Sequence, residues 1–240
     1  MARNKAAIVT GAQQGIGKGL VDGFLKSGYS VVATSLRASE SLRSTPDLVV
    51  IDGDICDHET ATKSVEAAIT HFGTVDVLVN NAGIYITKPF TEFTTDDFSA
   101  LVSVNLLGFL HVTQLVVKQM LKQESGCVIT VSAALADNPI AGVNGSVSMI
   151  TKGGLNTITR HLAIEYAKQG IRFNAVAPGV VDTPLHQEDS EQHLRTLQPM
   201  GSIAEISDIA DAVLYLSGAR QVTGEVLHVD GGAHIGSWLC

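Results

Sequence analysis

The sequence predicts a doubly wound α/β fold, a mostly parallel sheet of about seven strands with helices on both faces. Three observations predict it. Short apolar runs rich in Val and Ile alternate with longer segments of helical period. No Pro/Gly/Ser-rich linker, low-complexity tract or internal repeat interrupts the alternation. The first apolar run passes directly into a glycine-rich turn that opens a helix. Strand–helix alternation implies parallel strands joined by right-handed crossovers, within one domain spanning residues 1–240.

In chain order, Ala6–Val9, Ser30–Thr34, Leu48–Ile51, Val75–Val79, Cys127–Val131, Arg172–Val176 and Glu225–Val229 read as short buried strands. Between them Gly17–Lys26, Ala61–Phe72, Phe98–Lys122, Lys152–Lys168 and Ile206–Leu216 read as amphipathic helices. In such a sheet a ligand is expected at the carboxyl edge of the strands, where the strand order reverses.

Composition narrows the function classes. A hydrophobic share of 45% supports a sizeable core, and 17% charged residues argue against disorder. Lys and Arg number 16 against 24 Asp and Glu, giving −8, which disfavours nucleic acid or an anionic membrane as partner. Cys56, Cys127 and Cys240 are scattered, without disulfide-framework or metal-ligand spacing, and a reducing cytoplasm suits them. Ala6–Val9 is too short for a signal peptide or a membrane span, and no later stretch is expected to span. No metal motif is present.

The chemistry-bearing segments follow strands. Thr10-Gly11-Ala12-Gln13-Gln14-Gly15-Ile16-Gly17 joins the first strand to a helix. Its glycines permit a tight turn and close backbone approach to a pyrophosphate, which the helix N-terminus attracts. Asn80-Asn81-Ala82-Gly83 follows the fourth strand. Ser132 follows the fifth, Lys152 opens a long helix, and Pro178-Gly179-Val180-Val181-Asp182-Thr183 follows the sixth.

Together with Asn105 and the closing Val229-Asp230-Gly231-Gly232, these segments resemble the short-chain dehydrogenase/reductase family of the smaller, single-domain Rossmann-like type, from Lys5 to about Gly232. The resemblance implies roles residue by residue. Gly11, Gln14, Gly15, Ile16 and Gly17 would line the pyrophosphate. Asp54 and Ile55 would meet the adenine, and Asn81, Ala82 and Gly83 the adenosine ribose. Pro178, Gly179, Val181 and Thr183 would hold the nicotinamide carboxamide side. Lys152 would bind the nicotinamide ribose, Asn105 would anchor a water chain to it, and Ser132 would hydrogen-bond the substrate oxygen.

One departure dominates. The family places a tyrosine four residues before the lysine as its acid/base; here Ser148 stands there. A phenol titrates near pKa 10, whereas an aliphatic hydroxyl is far less acidic and its side chain is shorter. A water in the vacated space, partnered by Ser148, Ser132 and Lys152, would carry the proton instead. Restoring the phenol by Ser148→Tyr would then raise turnover, if room exists. Of the four tyrosines, Tyr85 is the one that could face substrate, as pocket wall or as proton donor. His186, on what resembles the family's substrate lid, and Asn138, after Ser132, are further substrate-side candidates. His193 is similar to His186, His111 and His161 look structural, and Asp137, like Asn138, could reach substrate or be a turn former.

The leading expectation is an oxidoreductase interconverting a carbonyl and an alcohol on a small molecule by hydride transfer. The alternative is a cofactor-binding sensor or partner subunit with little catalysis. Ser35 ends the second strand where a carboxylate would accept both ribose hydroxyls, and Arg37 follows; this favours NADP(H), with NAD(H) as the alternative. A homotetramer is expected, or a homodimer, through Phe98–Lys122, Lys152–Lys168 and the last strand. The tail around Trp238 and Leu239 would pack on a neighbour or fray.

Overall fold

The computed structural model describes residues 4–187 and 189–236, so the expectation for Trp238 and Leu239 lies outside the described residues. Seven parallel strands form one sheet in the order β3-β2-β1-β4-β5-β6-β7. They are β1 (Ala6–Thr10), β2 (Ser30–Ser35), β3 (Leu48–Asp52), β4 (Val77–Asn80), β5 (Gly126–Val131), β6 (Ile171–Pro178) and β7 (Val226–Val229). The order turns back between β1 and β4, where Ala7 pairs with Val77 and Val9 with Val79. Ligand-binding crevices open at such a point.

Strand side chains alternate faces, so each strand feeds two cores. Ala7, Val9, Val77 and Val79 pack under α1 (Gly15–Lys26) and α7 (Ile206–Gly218), against Leu20, Phe24, Ile209 and Val213. Ile8, Leu78 and Val128 face the other side, against Val65 of α2 (His58–Ala67) and Val112, Val116 and Met120 of α4 (Gly108–Gln123). Burial on both faces explains why the strands read as continuous apolar runs.

Three helical expectations change. The segment expected from Phe98 is α3 (Thr95–Val102), a π-helical turn (Ser103–Leu107) and α4, running continuously over 29 residues from Thr95 to Gln123. That stretch is long and apolar enough to cross a membrane, contrary to expectation, yet Leu101, Phe109, Val112, Val116 and Met120 are buried in the protein, which makes it a core helix. The helix expected to open at Lys152 is α5 (Ser146–Tyr166), with Gly145 as its N-cap. Lys152 therefore lies nearly two turns inside it, and Ser148 sits in its first turn.

Candidate functional site

A single elongated cavity of about 920 Å³ runs along the carboxyl edge of the strands. Its size matches a cleft for a large organic ligand. All the sequence-derived site residues line it except Asn105, Asp137 and Ser148.

One end is built by the β1–α1 turn. Gly11 and Gly15 adopt φ of +66° and +54°, a conformation that side chains other than glycine's rarely take. A Cβ on Gly17 would collide with the Gly11 carbonyl, so the third glycine lets the helix close on the turn. Gln14 caps α1 in extended conformation without a side-chain hydrogen bond, which leaves the first-turn N–H groups available to an anion. Asn81 fixes this turn from the β4 side: its amide donates to the carbonyls of Thr10 (2.9 Å) and Gly11 (3.2 Å). The Thr10 hydroxyl receives the N–H groups of Asn81 and Ala82.

At the same end Ser35 closes β2, and Arg37 follows with its side chain largely exposed. Arg37 lies 3.5 Å from Glu40, and Gln13 donates to the same carboxylate at 3.4 Å. Asp54 and Ile55 follow β3; the Asp54 carboxylate accepts the Cys56 N–H, and Ile55 is buried against Gly108, the first residue of α4.

The floor centres on Lys152. Its ammonium reaches across from α5 to donate to the Val131 carbonyl at 2.9 Å, the one protein acceptor it has among the described residues. Burial pulls its pKa down to about 8. Gly83 separates it from Asn105: a Cβ on Gly83 would lie 3.2 Å from the Lys152 Nζ and 3.1 Å from the Asn105 Oδ1. Asn105 stands behind the cleft wall rather than in it. Its Oδ1 accepts from the Ile84 N–H, and its amide donates to the Ile84 carbonyl and the Thr151 hydroxyl. It comes from the π-helical turn, a register change that periodicity does not signal and that recurs at functional sites.

The two serine hydroxyls lie differently from each other. Ser132 lines the cavity, with its Oγ donating to the Lys152 carbonyl at 3.3 Å. Ser148 is fully buried and outside the cavity; its Oγ donates to the Ile86 carbonyl (2.8 Å) and accepts the Ile86 N–H (2.9 Å). The loop after β4 thus engages the Ser148 hydroxyl as both donor and acceptor. Tyr85 contributes its ring to the cavity wall, but its hydroxyl is shielded against Gly145 and has no hydrogen-bond partner among the described residues. Burial raises its pKa and keeps the phenol protonated.

The far end is mainly apolar. Leu135, Ile140, Met149, Leu185, Leu194 and Leu197 line it. Pro178 closes β6, Gly179 donates its N–H to the Val229 carbonyl, and Val181 and Thr183 follow along the wall. His186 faces the cavity with its Nδ1 2.8 Å from the Asp189 carboxylate. Asn138 lines the cavity and donates to the Ala233 carbonyl. Asp137 turns away, accepting from Asn156 and bonding His228 at 3.0 Å. The His228 ring stacks on His234 with centroids 3.9 Å apart. Sequence spacing carried no sign of that pair, nor of buried Gln198 and partly buried Met149, which join the cavity wall.

The arrangement fits a dinucleotide: a glycine turn whose close approach no side chain would permit, an uncapped helix N-terminus for the phosphates, and one cation on a polar floor beyond it. The comparisons agree. A family model described as enoyl-(acyl carrier protein) reductase matches residues 11–234. The chain is 32% identical to a 3-oxoacyl-(acyl-carrier-protein) reductase of Thermotoga maritima, over 95% of this chain and 97% of the relative. Among solved structures, a 3-ketoacyl-(acyl-carrier-protein) reductase from Brucella melitensis complexed with NADH superposes with a TM-score of 0.90 and 30% identity, over 97% of this chain and 99% of that one. ElxO with NADP bound gives 0.90 and 30%, over 97% and 100%. A parallel sheet with its switch-point cleft, a glycine cradle and a half-buried lysine thus meet in one chain, which belongs to the short-chain dehydrogenase/reductase family of nicotinamide-dependent oxidoreductases.

Proposed function

We propose that this protein reduces a carbonyl on a predominantly apolar small molecule, with NADP(H) preferred over NAD(H) and without the tyrosine acid that the family resemblance leads one to expect. The observation that carries the reading is the single cleft in which the glycine cradle, the Lys152 ammonium and an apolar far end are continuous. A bound nicotinamide supplies or accepts the hydride. The chain's residues do the rest. Main-chain N–H groups of Gly15–Gly17 would hold the phosphates. Lys152 would hold the nicotinamide ribose, with Asn105 keeping Ile84 and Gly83 in place beside it. Leu185, Leu194 and Leu197 line the far end and would accept an apolar substrate body.

The NADP(H) preference rests on Ser35, which offers no carboxylate to repel a 2′-phosphate, and on Arg37 at the cavity rim. A homotetramer or homodimer is the assembly favoured by the outward apolar side chains of the helices around α4 and α5.

A second reading, a cofactor-binding sensor with little turnover, is favoured by one observation: neither Ser148 nor the Tyr85 hydroxyl reaches the cleft. Purified protein separates the two. Titration with NADPH and NADH measures affinity, and loss of reduced-nicotinamide absorbance across a panel of apolar ketones and aldehydes measures turnover. Steady oxidation of cofactor establishes the enzyme, whereas tight binding without oxidation establishes the sensor.

A further inference from the structure

We infer that Lys152 is itself the general acid of this site, giving a proton from its ammonium to the carbonyl oxygen of the substrate, a role that rests on the reductase reading above. The argument begins with the other protons. Ser148 Oγ–H is spent on the Ile86 carbonyl, and Thr151 Oγ–H on the Ser148 carbonyl. Ser132 Oγ–H points to the Lys152 carbonyl. The Tyr85 hydroxyl is buried behind the cavity wall. What remains on the floor is the Lys152 ammonium, with one N–H held by the Val131 carbonyl and two without a protein acceptor among the described residues. It lines the cavity and sits beside Gly83, on the same floor as Ser132.

Electrostatics suit the task. The groups beside the ammonium are neutral: the Val131 carbonyl that ends β5, and Gly83 of the loop after β4, which Asn105 of the π-helical turn backs. The titratable side chains that line the cavity are Arg37, Asp54, Tyr85, His186, Asp189 and His193, and none forms an ion pair with Lys152. Desolvation without a compensating carboxylate brings a lysine into the range where it exchanges protons near neutral pH.

The step balances. The carbonyl carbon gains the hydride that the reduced nicotinamide supplies, and the C=O π pair moves onto oxygen. That oxygen forms a bond to the proton from Nζ, and the N–H electron pair stays on nitrogen. The neutral amine then takes a proton from water. In the oxidation direction the neutral amine is the base.

The test joins a titration with kinetics. In cofactor-free protein carrying ¹³C-methylated lysines, the resonance missing from Lys152→Arg is expected to titrate near the value of about 8 set by burial. Carbonyl reduction by the wild type should fall as pH rises through that value, about tenfold per unit, and alcohol oxidation should rise. Lys152→Arg keeps a cation for Val131 and the ribose but stays protonated. It is expected to bind NADPH within a few-fold of the wild type, which also verifies its fold, and to lose roughly 10²–10⁴-fold in reduction. Reduction by Lys152→Arg within tenfold of wild type, or a Lys152 amine titrating at the ordinary lysine value, overturns the assignment while leaving the reductase reading intact. A wild type that binds NADPH but reduces no carbonyl overturns both.

Discussion

The Ser148 hydroxyl holds Ile86 by both of its backbone polar groups, accepting from the N–H at 2.9 Å and donating to the carbonyl at 2.8 Å. This pair of bonds sews the loop after β4 onto the first turn of α5. Ser148→Ala leaves both Ile86 groups without that partner and is expected to destabilise the protein by about 1–3 kcal/mol in a denaturant titration. Cofactor affinity should stay unchanged, because Ser148 lies outside the cleft. Ser148→Tyr is expected to overpack the same site, at about 1–3 kcal/mol, without any gain in carbonyl reduction. A faster, equally stable Tyr variant would mean that the ring had found a path into the cleft.

The proposed NADP(H) preference is testable at Glu40. Its carboxylate occupies Arg37 at 3.5 Å and is shared with Gln13. Exposed pairs of this kind are worth less than about 1 kcal/mol, so a 2′-phosphate should displace it. Glu40→Gln is expected to tighten NADPH binding a few-fold and leave NADH unchanged, while Arg37→Ala weakens NADPH about tenfold or more. Calorimetric titrations of the three proteins with both cofactors check this. Equal or tighter binding of NADH by the wild type would refute the preference.

Assembly is testable at one side chain. Ile164 on α5 is 82% exposed, and Ile150 on the same helix, Leu107 at the end of the π-helical turn and Leu110 in the first turn of α4 are also exposed. Light scattering is expected to return a tetramer or dimer mass, and Ile164→Glu to shift it toward monomer. A wild-type monomer at micromolar concentration would remove the proposal.

Lys152 should also leave a mark on stability. Its folded pKa of about 8 lies below the ordinary 10.5, so in the intervening range the unfolded chain binds more protons than the folded one. Wild-type stability should therefore gain with rising pH between those values. Cys56 and Cys127, pushed up to about 12 and about 11 by burial, act in the opposite sense above the ordinary thiol value. They are common to the wild type and Lys152→Met, so the difference between the two isolates the lysine. Lys152→Met is expected to be the more stable at pH 7, by a margin that shrinks toward pH 10.5. A constant margin would place Lys152 at an ordinary pKa.

Most of the fold and the dinucleotide end of the site were legible in the chain because both are local. Apolar runs buried on two faces, helices of period 3.6 and glycines at positive φ or close approach are dictated by residues next to one another, and parallel strands put every following turn at the same edge. That is why seventeen cofactor-side positions read from motifs, Gly11 to Thr183, reach one cleft. Partnership between distant hydroxyls is not local. Ser148 meets Ile86 across 62 residues and Asn105 meets Thr151 across 46, and no spacing encodes which lone pair a buried hydroxyl will satisfy. The π-helical turn that aims Asn105, the start of α5 at Ser146, and the stack of His228 on His234 likewise depend on what packs around them. The sequence alone determined which segments gather at the cleft. Only the tertiary structure decided which protons face it, because burial and hydrogen-bond saturation are properties of the packed surroundings and not of a residue's name.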